Sequence, residues 1–211
     1  MNRKHFYKKN ILNNILNKDS KILVLGADKL DENLFNELGF KNVTFSNYNI
    51  KNNTNFENFL MQDIPFPNNS FDFCVAHACV HHSSKPHNSI LEMFRVSNKG
   101  ILVIEANDCL LTRLACKFGY AEEFENSAII KNKNHGGVDN TNVPNYVYRW
   151  TEREVYKLIS SYEPNVKHEI KFNYSNDLKF TDNILIKFIF FIFFKFFKKQ
   201  QNLFSFFIKK I

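Results

Sequence analysis

Three of the histidines crowd into one short stretch, His77, His81 and His82, in the run HACVHH. An imidazole titrates near neutral pH, so His82 or His81 can take a proton from a substrate hydroxyl. The alternative is that the His-His step only shapes the loop that carries it. No acid or thiol stands at a zinc-type spacing from these residues, and no metal is expected. Further along, Glu105, Asn107 and Asp108 close an apolar run. A carboxylate there can orient a substrate or act as a base, with helix capping as the alternative for Asp108. A second group, His135, Tyr146, Tyr148, Arg149 and Trp150, pairs aromatic rings with a guanidinium and suits a sugar or a carboxylated acceptor; its alternative is ordinary packing in a lid.

These residues need strands and helices to hold them. The run KILVL at Lys21–Leu25 reads as a strand buried on both faces, followed by a polar break at Asp28 to Glu32 and a helical stretch that ends at Gly39. NVTFS from Asn42 is a second strand, FDFCVA from Phe71 a third that runs into His77, and GILVIEA from Gly100 a fourth. Between the last two, Ile90, Leu91, Phe94 and Val96 recur at helical spacing. Alternating strands and helices predict an open, mostly parallel sheet wound on both faces. The 111–150 stretch, which begins with a helix running to Phe118 and continues as a polar segment, reads as a lid or substrate region. Thr151-x-x-Glu154 predicts a capped helix start, and His168 to Tyr174 alternates like an edge strand. No internal repeat is visible.

In such a sheet ligands bind beyond the carboxyl ends of the strands, which is where the candidate residues fall. The ordered series DIPFPNNSFDFCVAHACVHHSSKPHNSILEMFRVSNKGILVIEAND resembles the middle of the class I S-adenosylmethionine-dependent methyltransferases that act on small molecules, and the likeness spans roughly residues 20 to 110. It implies a Rossmann-like, doubly wound α/β fold with a seven-stranded sheet whose last strand is antiparallel. It also implies S-adenosyl-L-methionine as cofactor, and methyl transfer to an acceptor held above the fourth strand. By the same resemblance Asp63 meets the adenine amino group with Ile64 beside the ring, and Asp72 supports the sheet. Gly26, Ala27 and Asp28 form the cofactor loop, Asn47 and Tyr48 lie at the ribose, and His77 lines the site. The loop departs from the family pattern: Val24 replaces an acid, Asp28 and Leu30 replace glycines, and Asn47 replaces the ribose-binding carboxylate. Leu30 carries a Cβ that a glycine turn lacks. The segments LVLGAD, LGFKNVTFSN and HGGVDNTNVPNYVYRWTEREV are similar to a bacterial methyltransferase-like subgroup often associated with surface-polysaccharide genes, in which the altered loop is usual. The implied activity is O-methylation of a small-molecule or glycan-linked acceptor. The competing reading is a noncatalytic methyltransferase-like module that docks on a membrane or partner protein. A dinucleotide oxidoreductase ranks third, since Gly26 has no GxGxxG companions.

Composition bounds both readings. The 211 residues fit one domain, with 18–110 as a cofactor-binding core, 182–199 as an apolar basic helix and 202–209 as the final strand. The net charge of +7 sits at one end: residues 183–211 carry six lysines and no acid, leaving 22 basic against 21 acidic residues elsewhere. No basic stripe with interleaved aromatics crosses the body, so no nucleic-acid partner is expected. The four cysteines form no CxxC pair and no apolar leader follows MNRKHFYKKN, which points to a cytoplasmic protein. Ile184 to Phe197 is shorter than a bilayer span of about 20 residues. As a helix it gathers Lys187, Lys195, Lys198 and Lys199 on one side, suited either to an anionic membrane surface or to covering the sheet. Oligomeric state is not legible.

Overall fold

A computed structural model describes residues 3–48, 55–132, 135–177 and 184–211, with backbone alone at residues 131 and 184–188. The elements in order are α1 (Arg3–Asn14), β1 (Lys21–Leu25), α2 (Lys29–Glu37), β2 (Asn42–Phe45), β3 (Phe71–His77), α3 (Pro86–Val96), β4 (Ser97–Ala106), α4 (Leu110–Lys117), α5 (Asn126–Lys131), α6 (Glu152–Tyr162), β5 (Glu169–Ser175), α7 (Ile184–Phe196) and β6 (Leu203–Lys209). The first residues expected of the C-terminal helix, 182 and 183, lie outside the described residues.

The strands form one sheet in the order β2-β1-β3-β4-β6-β5. β2, β1, β3 and β4 are parallel, and β6 runs antiparallel between β4 and β5. Six strands are present among the described residues, where seven were expected. Beyond β2 the described residues make a parallel bridge between Ser46 and Glu57, through Asn47 N–H to Glu57 O at 3.0 Å and Glu57 N–H to Phe45 O at 2.8 Å.

Side chains of a strand alternate between faces, and here both faces are covered. Ile22, Val24, Val75, Leu102 and Ile104 pack beneath α1 and α2, with Phe6, Tyr7, Ile11, Leu34 and Phe35. Leu23, Leu25, Cys74, Ala76, Ile101 and Val103 pack beneath α3 and α6, with Ile90, Phe94, Val155 and Ile159. That is why β1 and β4 read as continuous apolar runs. The helix α1 lacks a clean apolar stripe and was not foreseen. Its buried Asn10 holds it to the far end of the chain, accepting from Ser205 Oγ at 2.7 Å and from Asn173 Nδ2 at 3.1 Å.

Several starts and ends follow local chemistry. Thr151 caps α6 as its sequence predicts, with Glu154 completing the reciprocal bond. The helix α2 begins at once after Asp28, earlier than the polar break implied, because Asp28 accepts from Leu30 N–H and Asp31 N–H while Asp31 accepts from Asp28 N–H. Asp108 does not cap α4; it forms a two-point ion pair with Arg113 at 2.8 and 2.6 Å, and Cys109 with Thr112 closes the helix start. All four cysteines are free thiols.

No described helix is long and apolar enough to cross a membrane. Within α7 and just after it Phe194 is buried, while Ile189, Phe191, Phe196 and Phe197 are exposed alongside Lys195 and Lys198.

Asp31 is 5% exposed, and burial raises its carboxyl to about 6 against the opposing pull of the Asp28 amide and the Tyr7 hydroxyl. Neither Tyr7 Oη nor Asp31 Oδ1 has a hydrogen bond of ordinary geometry. A carboxyl raised in the folded state stabilises the fold below its unfolded value of 3.8 and loses that contribution as pH climbs to about 6. Asp31→Asn keeps an acceptor for the Asp28 amide and removes the buried charge. It is expected to be more stable than the parent at pH 8 by roughly 1 to 3 kcal/mol. Thermal melts across pH should show this gap closing below pH ~4; a parent as stable as the variant at pH 8 contradicts it.

Candidate functional site

A cavity of about 430 Å³ opens at the carboxyl ends of β1, β2 and β3. Its wall includes Gly26, Asp28, Asn47, Tyr48, Met61, Gln62, Cys79, His81, His82 and Glu125. Such a volume suits a small organic ligand. The floor depends on Gly26, whose φ of +58° is left-handed and whose absent Cβ would sit 2.5 Å from Cys79 Cβ. The turn after β1 therefore closes directly against the turn after β3. Cys79 Sγ donates to Leu25 O at 3.2 Å across the same junction. Ala27 is buried beside it, its N–H donating to Ser46 O at 2.9 Å.

Behind this junction stands Glu105. Its side chain has no exposed surface, and its oxygens accept from Cys79 N–H at 2.9 Å, Val80 N–H at 2.8 Å and His81 Nδ1 at 2.5 Å. Burial alone would raise this carboxyl, but His81 and the Val80 amide hold it below the ordinary range. In return, although burial disfavours a charged ring, Glu105 and Glu125 raise the His81 imidazole. Glu105 does not line the cavity; it fixes the loop that does.

The second carboxylate comes from outside the loop. Glu125 Oε2, just before α5, lies 3.6 Å from His81 Nε2 and 3.4 Å from His82 Nε2. The Glu125 carboxyl is held down to about 2, chiefly by His81. Burial and the neighbouring His81 lower His82. His81, His82 and Glu125 thus present nitrogen and oxygen atoms all within 4.8 Å of one another. The acid that sequence spacing lacked beside the histidines is supplied by a distant segment.

A loop closes one side. Asp139 Oδ1 accepts from Gln62 Nε2 and from Ser84 N–H, both at 3.1 Å, and Asn140 Nδ2 donates to Tyr48 O at 2.7 Å. Its turn needs Gly137, since a Cβ there would meet Val143 O at 1.9 Å.

The remaining candidates spread out. Asn47 lines the cavity, with Nδ2 donating to Ala27 O at 2.8 Å and Oδ1 accepting from Tyr48 N–H at 2.8 Å. Asp63 is exposed and Ile64 is buried in the core; the cavity wall is instead Phe59, Leu60, Met61 and Gln62 just before them. His77 is stacked on Tyr7 with ring centroids 4.2 Å apart and is lowered to about 4, first by burial. Asp72 accepts from Lys21 N–H at 2.9 Å, joining β1 to β3. Tyr146, Tyr148 and Arg149 line a separate cavity of about 650 Å³ with Arg113, Arg153 and Lys157. Tyr148 donates to Glu154 and Arg149 to Glu122 O. Trp150 is fully buried in the core, and His135 lines neither cavity. Arg3, Met61, Gln62 and Glu125 were not foreseen. Nothing local marks Arg3 or Glu125, whereas Met61 and Gln62 adjoin the DIPFP motif.

Residues 36–104 match a methyltransferase domain family. No curated protein matches the chain. Among solved structures, a chain of the complex formed by the Haloferax volcanii Trm112 methyltransferase activator is 10% identical with a TM-score of 0.63, covering 99% of this chain and 90% of that one. A SAM-dependent methyltransferase from Methanosarcina mazei is 19% identical with a TM-score of 0.58, covering 95% and 97%. The [4+2]-cyclase SpnF, at 11% identity and a TM-score of 0.57, covers 98% and 80%. The chain has the fold of these S-adenosylmethionine-dependent methyltransferases, and its residues 36–104 are similar to the methyltransferase domain.

Proposed function

We propose that this chain transfers a methyl group from S-adenosylmethionine to an oxygen of a small-molecule or glycan-linked acceptor. The observation that carries the reading is the cavity at the ends of β1, β2 and β3, floored by the left-handed turn at Gly26. Leu60, Met61 and Gln62, with Asp63 and Ile64 behind them, would hold the adenine end. Asn47 keeps a lone pair free for a ribose hydroxyl, and Tyr48 adjoins it. Asp28 is occupied as a helix cap, so Arg3 is the cation on this wall suited to a carboxylate.

When bound, S-adenosylmethionine supplies an electrophilic methyl on a sulfonium. The chain's own work is alignment and exclusion of water. His81 and His82 set the polar wall that the acceptor meets, and Glu105 positions it. The cavity of Tyr146, Tyr148 and Arg149 would take the body of a sugar or carboxylated acceptor. SpnF shares the fold and is a cyclase, so the activity must be argued from the site.

A membrane contact is favoured by one observation, the exposed Phe191, Phe196 and Phe197 beside Lys195 and Lys198. An apolar face edged by lysines suits an anionic bilayer surface.

Isothermal titration of the full chain is expected to give micromolar binding of S-adenosylmethionine and S-adenosylhomocysteine; no binding at millimolar ligand would favour the noncatalytic module. His82→Gln should leave that binding intact and cut turnover by at least about tenfold against an acceptor panel, whereas normal turnover would remove His82 from the reacting wall. Phosphatidylglycerol vesicles should pellet the chain and release Lys195→Glu/Lys198→Glu; a chain that stays in the supernatant contradicts the membrane contact.

A further inference from the structure

The geometry points to a divalent transition-metal site, of the kind zinc occupies, formed by His81 Nε2, His82 Nε2 and Glu125 Oε2 on the cavity wall. Two imidazoles and one carboxylate are a recognised ligand set for catalytic zinc, which leaves a fourth position for water or substrate. Bonds of about 2.0–2.1 Å in a tetrahedron put ligand atoms ~3.3–3.4 Å apart. The two histidine nitrogens lie 3.6 and 3.4 Å from the Glu125 oxygen, and all three ligand atoms lie within 4.8 Å of one another, so an ion needs the side chains to draw in to the tetrahedral spacing.

The surroundings are arranged as metal sites arrange them. A ligating histidine normally gives its other ring nitrogen to a carboxylate or backbone carbonyl, which fixes ring orientation and raises ligand basicity. His81 does this through Nδ1 to the fully buried Glu105. Charge agrees as well. Glu105 and Glu125 bring two negative charges to a partly buried wall, and a doubly charged ion balances both with His81 and His82 neutral. All three ligands line the cavity, so the open position faces its interior. An acceptor oxygen or carboxylate there would meet the ion directly, and His82 would act on it through the metal.

This inference stands apart from methyl transfer, because it is tested on the full chain without cofactor or acceptor. Cobalt(II) serves as the spectroscopic probe, with zinc(II) as competitor. The expected result is one cobalt per chain, a ligand-field spectrum of four- or five-coordinate nitrogen and oxygen donors, and full displacement by zinc. Glu125 is partly exposed, so Glu125→Gln should fold normally by circular dichroism and bind cobalt at least about tenfold more weakly. Glu105→Gln keeps all three ligands and should weaken binding by roughly 10- to 100-fold through loss of the charged partner that orients His81 and its loop. Failure of the parent chain to bind cobalt at millimolar concentration overturns the site. So does a Glu125→Gln variant with unchanged affinity and spectrum, which would trace the binding to surface histidines elsewhere.

Discussion

A carboxylate removed from water is costly unless donors surround it, and removing those donors leaves the whole penalty behind. Glu105 sits at the end of a central strand with no exposed side-chain surface, so the chain around it has little freedom. Two successive amides, Cys79 and Val80, and the His81 ring must converge on its oxygens. That convergence dictates the path of the loop after β3, including the left-handed Ala78 at φ 51°. It then sets where Cys79 meets Gly26 and where His81 and His82 enter the cavity. One buried charge fixes the floor of the site and the orientation of its polar wall.

The turn after β1 leaves room for the cavity of about 430 Å³ with a single glycine. Where a glycine-rich loop would let several backbone amides approach a ligand, this chain keeps one glycine and spends the next amides on its own Asp28 cap. Space is preserved because Gly26 alone carries the left-handed turn. The cavity wall is therefore formed more by Asn47, Tyr48, Met61 and Gln62 than by free amides of the loop itself. The fold relatives are methyltransferases together with a cyclase, which suits a frame whose chemistry is decided by what lines the cavity.

How much of this the sequence disclosed follows from which interactions are local. Strands β1 and β4 are legible because a strand covered on both faces must be apolar throughout, and α6 because Thr151 and Glu154 lie three residues apart. The helix α1 is not legible, since it is held by Asn10 bonding to Asn173 and Ser205 far along the chain. Asp108 reads as a cap by type, yet Arg113 one turn on captures it. The aromatic group around Trp150 reads as a recognition surface, but the indole is the largest side chain fully buried in the core. Glu125 carries no motif, and its meeting with His81 and His82 exists only once the segment just before α5 is folded against the loop after β3. Residues that act in pairs across the fold are where sequence spacing falls silent.

Glu105 holds the loop after β3, and amide hydrogen exchange of the full chain reads that bond by bond. In the parent protein the Cys79 and Val80 amides should exchange as slowly as Val103 in the sheet core. In Glu105→Gln, which keeps an acceptor but loses the charge, those two amides should speed up by about tenfold while Val24, Val75 and Val103 stay protected. Equal exchange at Cys79 and Val80 in the two proteins would contradict the claim that this buried carboxylate organises the site.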